Sequence, residues 1–183
     1  LAGTALCFSP AFAQKEMQKA GSEGSWPIIV RKGDQLFEGD KPFRFLGMAA
    51  PNIQANENQV RVDRTNRFPD DYEISDILDG IRREGGRATR TFSLSVFHTD
   101  YKGMPVYITG HLQYTEEAFQ CLDRIIALGH KYDVRMIIPF IASQSFASVR
   151  GVDEFSALAG KPKGSFWTDP EQKADFRHFL DFI

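Results

Sequence analysis

The chain has 183 residues, 42% of them hydrophobic and 25% charged, the composition of a folded globular protein rather than a disordered or fibrous one. Its formal net charge is -2 at neutral pH, so nothing electrostatic recommends nucleic acid or an anionic membrane as a partner. The densest basic run, Arg82, Arg83, Arg87 and Arg90, is no nucleic-acid footprint, and its first two members close a predicted helix, where cations suit the dipole.

The chain opens on Leu1 rather than methionine, so the start of the reading frame is expected to be missing. Residues 1–13 are apolar and small, and Ala11-Phe12-Ala13 has the form of a signal-peptidase site. They are read as a signal peptide incomplete at its start, with 14–25 a polar leader and 26–183 the domain proper. The protein is accordingly expected to be secreted, extracellular or periplasmic. The competing reading is a frayed apolar terminus. Cys7 would leave with the signal, and Cys121 then stands alone, with no disulfide and no cysteine metal site. After the signal no apolar run reaches membrane-spanning length.

From Trp26 onward, Ile28-Ile29-Val30, Leu36-Phe37 and Phe43 to Met48 read as strands joined by turns at Lys32-Gly33-Asp34 and Gly39-Asp40-Lys41-Pro42. A polar loop runs to Pro69. Asp70 or Asp71 caps a helix over about 72–84 with Ile74, Ile77, Leu78 and Ile81 as its stripe, stopped by Gly85-Gly86. A strand follows at once. Alternation along it sets Ala88, Arg90, Phe92, Leu94 and Val96 on one face, opposite Thr89, Thr91, Ser93 and Ser95. Arg90 is a charge among apolar neighbours, so it calls for a carboxylate or carbonyl partner, or else it snorkels to the strand end.

Residues 97–112 read as a long loop. Thr115 then caps a helix to about Lys131, with Phe119, Leu122, Ile125, Ile126 and Tyr132 on its buried side. Val134 to Ile141 is nearly all apolar and is expected to be a strand buried on both faces. After a loop over 142–166, Thr168-Asp169-Pro170-Glu171 reads as a capping box opening a helix with Phe176, Phe179, Leu180 and Ile183. Alternating strands and helices, with long loops after strands and tight links before them, predict a parallel α/β architecture with its site at the carboxyl strand ends. The pattern leaves barrel and doubly wound sheet both open.

The chain has no Gly-x-Gly-x-x-Gly, phosphate loop or Gly-x-Ser-x-Gly elbow, which argues against dinucleotide, P-loop and α/β-hydrolase chemistry. His98, His111, His130 and His178 lack metal-ligand spacing. His98, with Asp100, follows the Arg90 strand and either faces a site or sits in solvent. Asp153-Glu154 and Asp70-Asp71 are sequence neighbours rather than carboxylates from separate strand ends, so neither makes a glycosidase pair. Phe166-Trp167 is either a stacking surface for a sugar ring or a staple onto the following helix.

Several segments carry a resemblance. Phe37 to Gly47 resembles the opening hairpin and first strand of family-five glycoside hydrolases, the endo-β-mannanase branch in particular. Gly86-Arg87-Ala88-Thr89-Arg90-Thr91-Phe92 is similar to their second strand, Tyr132 to Pro139 to their third, and Phe166-Trp167-Thr168-Asp169-Pro170-Glu171 to the start of their third helix. The third strand departs from the mannanase pattern, since Ser143-Gln144-Ser145 stands where asparagine and tryptophan are usual. The resemblance implies a (β/α)8 TIM barrel of which this chain holds the amino-terminal part, the opening hairpin and about three βα units. It implies retaining hydrolysis of a β-linked polysaccharide, mannan by its branch assignment, by two glutamates expected beyond Ile183. It gives Arg90 the role of holding the nucleophile's carboxylate. The candidate substrate contacts on this chain are Asn52, His98, Gln144 and Trp167. No cofactor or metal is expected, and the implied partner is the polysaccharide itself. The alternatives are a non-catalytic carbohydrate-binding protein on the same scaffold and a cytosolic α/β enzyme in which Arg90 binds an anionic substrate.

Overall fold

The structure, a computed structural model, describes residues 26–55, 67–98, 106–143 and 150–183. The expected signal segment and leader, Asp100 and Gln144 lie outside the described residues. Between Arg44 and Phe45 the chain divides into two compact units.

The first unit carries an antiparallel sheet of β1 (Ile29–Lys32), β2 (Gln35–Glu38) and β3 (Lys41–Pro42), in that order. Gly33 and Gly39 occupy its two tight loops at φ of 66° and 59°, a backbone region open to glycine without steric cost. The expected strand from Phe43 to Met48 does not form. Phe43 N–H still donates to Leu36 O at 2.7 Å, whereas Leu46 O accepts from Arg87 N–H at 3.0 Å. The backbone changes partners between those residues, so no single ladder can run through them.

The second unit holds, in chain order, β4 (Gly47–Ala49), α1 (Asp71–Arg83), β5 (Ala88–Arg90), β6 (Ile108–Gly110), β7 (Gln113–Tyr114), α2 (Glu116–Tyr132), β8 (Arg135–Ile137), α3 (Val152–Leu158) and α4 (Pro170–Phe182). Strands β4, β5 and β8 form a parallel sheet in that order, with Met48, Thr89 and Met136 in one row and Ala49, Arg90 and Ile137 in the next. The order follows the chain, with no reversal within this sheet. Met48 and Met136 pack on the apolar cluster that α1 and α2 build from Ile74, Leu78, Ile81, Cys121 and Ile125. Burial pushes the Cys121 thiol up to about 11, so it stays protonated and behaves as a small hydrophobe at neutral pH.

Helix α1 ends as its sequence dictates, whereas Thr115 sits at the start of α2 without a side-chain capping hydrogen bond. Asp70 Oδ1 accepts from Glu73 N–H at 2.9 Å while Glu73 Oε2 accepts from Asp70 N–H at 3.0 Å, a reciprocal capping box for α1. At its other end Gly86 N–H donates to Ile81 O at 2.8 Å. Helix α2 ends on Asp133 in the left-handed region (φ 57°), with Val134 N–H donating to Gly129 O at 2.9 Å. Aspartate tolerates this position, and here its carboxylate also pairs with Arg87 at 3.0 Å. Ile126, expected on the buried stripe of α2, is 44% exposed, because it lies about 100° round the helix from Ile125. In α4 the cap is Asp169, whose Oδ1 accepts from Glu171 N–H at 2.8 Å. The expected box does not close there, since Glu171 is only the second helical residue and its carboxylate turns to Lys161.

Three other expectations are corrected. Strand β8 is three residues long, and Ile137 and Phe140 are 45% and 38% exposed, so the segment is not buried on both faces. The supposed loop over 97–112 contains β6, whose hairpin partner is β7, and the loop over 142–166 contains α3. Both additions owe their stability to packing: Ile108, Val152 and Phe155 join Leu94, Tyr107, Phe119, Phe166 and Phe179 in a second apolar cluster. Along the Arg90 strand the hydroxyl face is itself buried, with Thr89 and Thr91 at 0% and 1%, while Arg90 is exposed. Helices cover the threonine side, and nothing among the described residues covers the arginine.

Gly129 marks the closest approach of α2 to the sheet. A Cβ there would lie 2.9 Å from Val134 O and 2.9 Å from Met136 Cε. Gly129→Ala is expected to lower stability by about 1–3 kcal/mol despite alanine's better helix propensity, read as a fall in Tm. An unchanged or raised Tm would show that helix and sheet can separate freely at that point. Gln54 offers a second check. Its buried side-chain amide donates to Phe92 O at 2.9 Å and Ser93 O at 3.0 Å. Gln54→Leu leaves both carbonyls without that donor and is expected to cost about 1–3 kcal/mol in urea unfolding. An unmoved midpoint would mean the clamp adds nothing.

Candidate functional site

A concavity lies past the carboxyl ends of β5 and β8. The two strands do not stop cleanly there. Thr91 N–H donates to Ile137 O at 3.2 Å and Leu94 N–H to Pro139 O at 3.1 Å, so the chains run on side by side. Between them opens a cleft of about 380 Å³. Phe92, Pro139, Ile141 and Ala142 give it apolar walls, Ser93 and Ser143 contribute hydroxyls, and Arg90 stands at its edge. The Gln54 amide, reaching across from the 3₁₀ turn Pro51–Gln54 after β4, holds the Phe92 and Ser93 carbonyls in place.

Arg90 follows from the row it occupies. Its neighbours Ala49 and Ile137 are small or to one side, and among the described residues no carboxylate lies within ion-pair distance of it. An exposed guanidinium fork beside apolar walls can bind a carboxylate through two parallel hydrogen bonds. Arg87, three residues earlier, differs in kind: Asp133 engages it at the opposite, amino end of the same strand. Arg87 is architectural, whereas Arg90 is available.

The other candidates from the sequence do not converge as closely. Asn52 lies exposed in the 3₁₀ turn after β4, at the same end of the sheet as Arg90 but outside the cleft lining. His98 is half-buried beyond Val96 and does not line the cleft either. Gln144 is outside the described residues, although its neighbour Ser143 lines the cleft. Trp167 belongs to a different depression. Phe166 is the staple, 6% exposed and edge-on to Phe155 and Phe176 at 5.7 and 5.3 Å, and Trp167 points outward at 58% exposure. Gln54, Phe92, Pro139 and Ile141 were missed as cleft-forming residues. Pro139 interrupting an apolar run was the one visible signal.

The acidic neighbours have structural duties. Glu154 Oε2 accepts from Gly151 N–H at 2.9 Å, and Asp153 accepts from Gly164 N–H at 3.1 Å while pairing with Lys163 at 3.1 Å. Among the described residues no group of three or more His, Cys, Asp or Glu side chains could hold a metal ion, and no helix is long and apolar enough to cross a membrane.

No protein-family model matches the chain, and no curated protein matches it. Solved structures do. An endo-1,4-beta-mannanase from Rhizomucor miehei is similar at a TM-score of 0.60 and 16% identity, over 85% of this chain and 41% of that one. A glycoside hydrolase family 5 mannosidase from the same organism is similar at a TM-score of 0.54 and 17% identity, over 88% of this chain and 42% of that one. The chain therefore spans about two-fifths of the length of these enzymes. At such identities the likeness is one of fold: a glycoside hydrolase family 5-like α/β scaffold, present as a mixed α/β portion without a closed barrel among the described residues.

Proposed function

We propose that this chain forms the amino-terminal part of a retaining glycoside hydrolase acting on a β-linked polysaccharide, of mannanase-like type. The observation that carries the reading is the Arg90 guanidinium, without an ion pair among the described residues, at the carboxyl end of β5 beside a cleft, on a scaffold similar to that of an endo-1,4-beta-mannanase and a family 5 mannosidase. The fold likeness supports the class. Ser143 and the positions after it, which depart from the mannanase pattern, leave the choice of β-glycan to experiment.

Retaining hydrolysis needs two carboxyl groups about 5–5.5 Å apart, one as acid/base and one as nucleophile. In this reading both come from strands later in the fold. Arg90 supplies the cation. A guanidinium hydrogen-bonded to the nucleophile's carboxylate keeps it ionised and aims it at the anomeric carbon, while apolar walls such as Phe92 and Ile141 limit water around the pair. Gln54 acts one step back, by fixing the strand-end backbone on which the cleft is built.

In the full enzyme, Arg90→Ala is expected to lower kcat/KM for a β-glycan at least about tenfold, which is about 1.4 kcal/mol. Loss of the cation also raises the nucleophile's pKa, so the acid limb of the pH profile should move to higher pH. A smaller loss with an unmoved acid limb would remove Arg90 from this role. If the wild-type protein bound β-glycan but never cleaved it, the non-catalytic carbohydrate-binding alternative would stand instead. We further propose that the protein is secreted, on the strength of residues 1–13. Terminal sequencing of the mature protein should then begin at Gln14, and an intact Leu1 would refute secretion through that segment.

A further inference from the structure

The second depression, at the start of α4, shares no residue with the Arg90 cleft. It has a volume of about 270 Å³ and is lined by Phe166, Trp167, Lys173, Phe176 and Arg177. Phe166 is its buried floor, and Trp167 stands edge-on to it at 4.9 Å and 85° with most of its own surface in solvent. A tryptophan left 58% exposed beside a phenylalanine that already packs the core contributes little to folding. Its open ring is a platform for a flat apolar surface.

The two cations are the second, independent observation. Lys173 and Arg177 sit four residues apart on α4, one turn above the other and about 6 Å apart along the axis. Both are exposed. Neither takes part in an ion pair among the described residues, whereas the nearby Lys161 and Lys163 are paired with Asp169 and Asp153. No carboxylate lines the depression. Lys173 also falls at the end of the helix's first turn, where the dipole disfavours a cation. Local stability therefore gives no reason for this charge pair, while an anion held there would find both cations favourable.

We propose that this depression is a binding site for a carboxylate-bearing sugar, a hexuronate residue of a glycan, separate from the Arg90 cleft. The apolar face of the pyranose ring stacks on Trp167. The carboxylate meets Arg177 and Lys173, with the bidentate guanidinium fixing its orientation and the ammonium adding charge. An inorganic anion alone would leave the aromatic wall unused, and a neutral sugar would leave both cations unused. The ligand class that uses every lining group combines a ring and a carboxylate.

The test is a fluorescence titration of the full protein in a Trp26→Phe background, which leaves Trp167 as the reporter within this chain. The probes are trigalacturonate, neutral mannotriose and inorganic phosphate. The emission change that depends on Trp167, taken as the difference from the Trp167→Phe variant, is expected to saturate with trigalacturonate at a Kd below about 1 mM, and mannotriose and phosphate are expected to bind that site at least about tenfold more weakly. Lys173→Gln and Arg177→Gln lie on an exposed helix face, so both should fold normally by circular dichroism while raising the Kd at least about tenfold together. Binding should survive Arg90→Ala, which separates this site from the proposed catalytic one. No saturable binding, equal binding of mannotriose or phosphate, insensitivity to the two glutamine variants, or loss in Arg90→Ala would each overturn the proposal.

Discussion

The constraint on which the second unit depends is that its parallel sheet is covered by helices on one side. Met48 and Met136 press into the apolar cluster of α1 and α2, and Thr89 between them is fully buried. The next row, Ala49, Arg90 and Ile137, has no such cover among the described residues. A strand residue on the first side is fixed by close packing, and a single added carbon is felt there. On the second side a charged residue stays solvated without a partner, because nothing has removed its water. Arg90 can therefore stand in a sheet with no ion pair among the described residues, without the heavy desolvation cost that its apolar neighbours in sequence suggested.

The two ends of that sheet divide the work. At the amino ends, helix-to-strand links are short and over-determined: Gly86 N–H on Ile81 O, Val134 N–H on Gly129 O, and Asp133 bridging to Arg87 on the adjacent strand. These contacts set the height and angle at which each strand enters the sheet. At the carboxyl ends the strands unravel into extended, partly paired backbone, held by the Gln54 amide rather than by a regular ladder. Irregular backbone opens a cleft where a regular ladder would close one. In α/β folds generally, sites lie at the carboxyl ends of the strands and stabilising contacts at the other end.

Trp167 shows how one short motif can serve two purposes. Phe166 and Trp167 are adjacent and chemically alike, yet one is a core anchor and the other faces solvent in a depression that two cations also line. The 3₁₀ turn Ser165–Trp167 turns successive side chains to different sides, so sequence proximity does not put both on the core. As a result these two concave surfaces are chemically distinct. The Arg90 cleft is mostly apolar with a single cation, while the Trp167 depression is aromatic and doubly cationic.

By itself the sequence determined the α/β alternation, the stripes of α1 and α2, the capping at Asp70, the glycine stop at Gly85-Gly86, and the singular position of Arg90. Each is a local signal, carried by side-chain periodicity or by a residue whose own chemistry demands a partner or a conformation. Only the tertiary structure decided the rest. It split the apparent strand from Phe43 to Met48 between two sheets, and it made a hairpin and a helix from segments too short to announce themselves. It also buried the threonine face beside Arg90, and it sent Trp167 away from the cleft that Arg90 borders. Those outcomes turn on which surfaces meet. A residue's burial depends on the neighbours that arrive from distant parts of the chain, and neither period nor propensity within a short window encodes them.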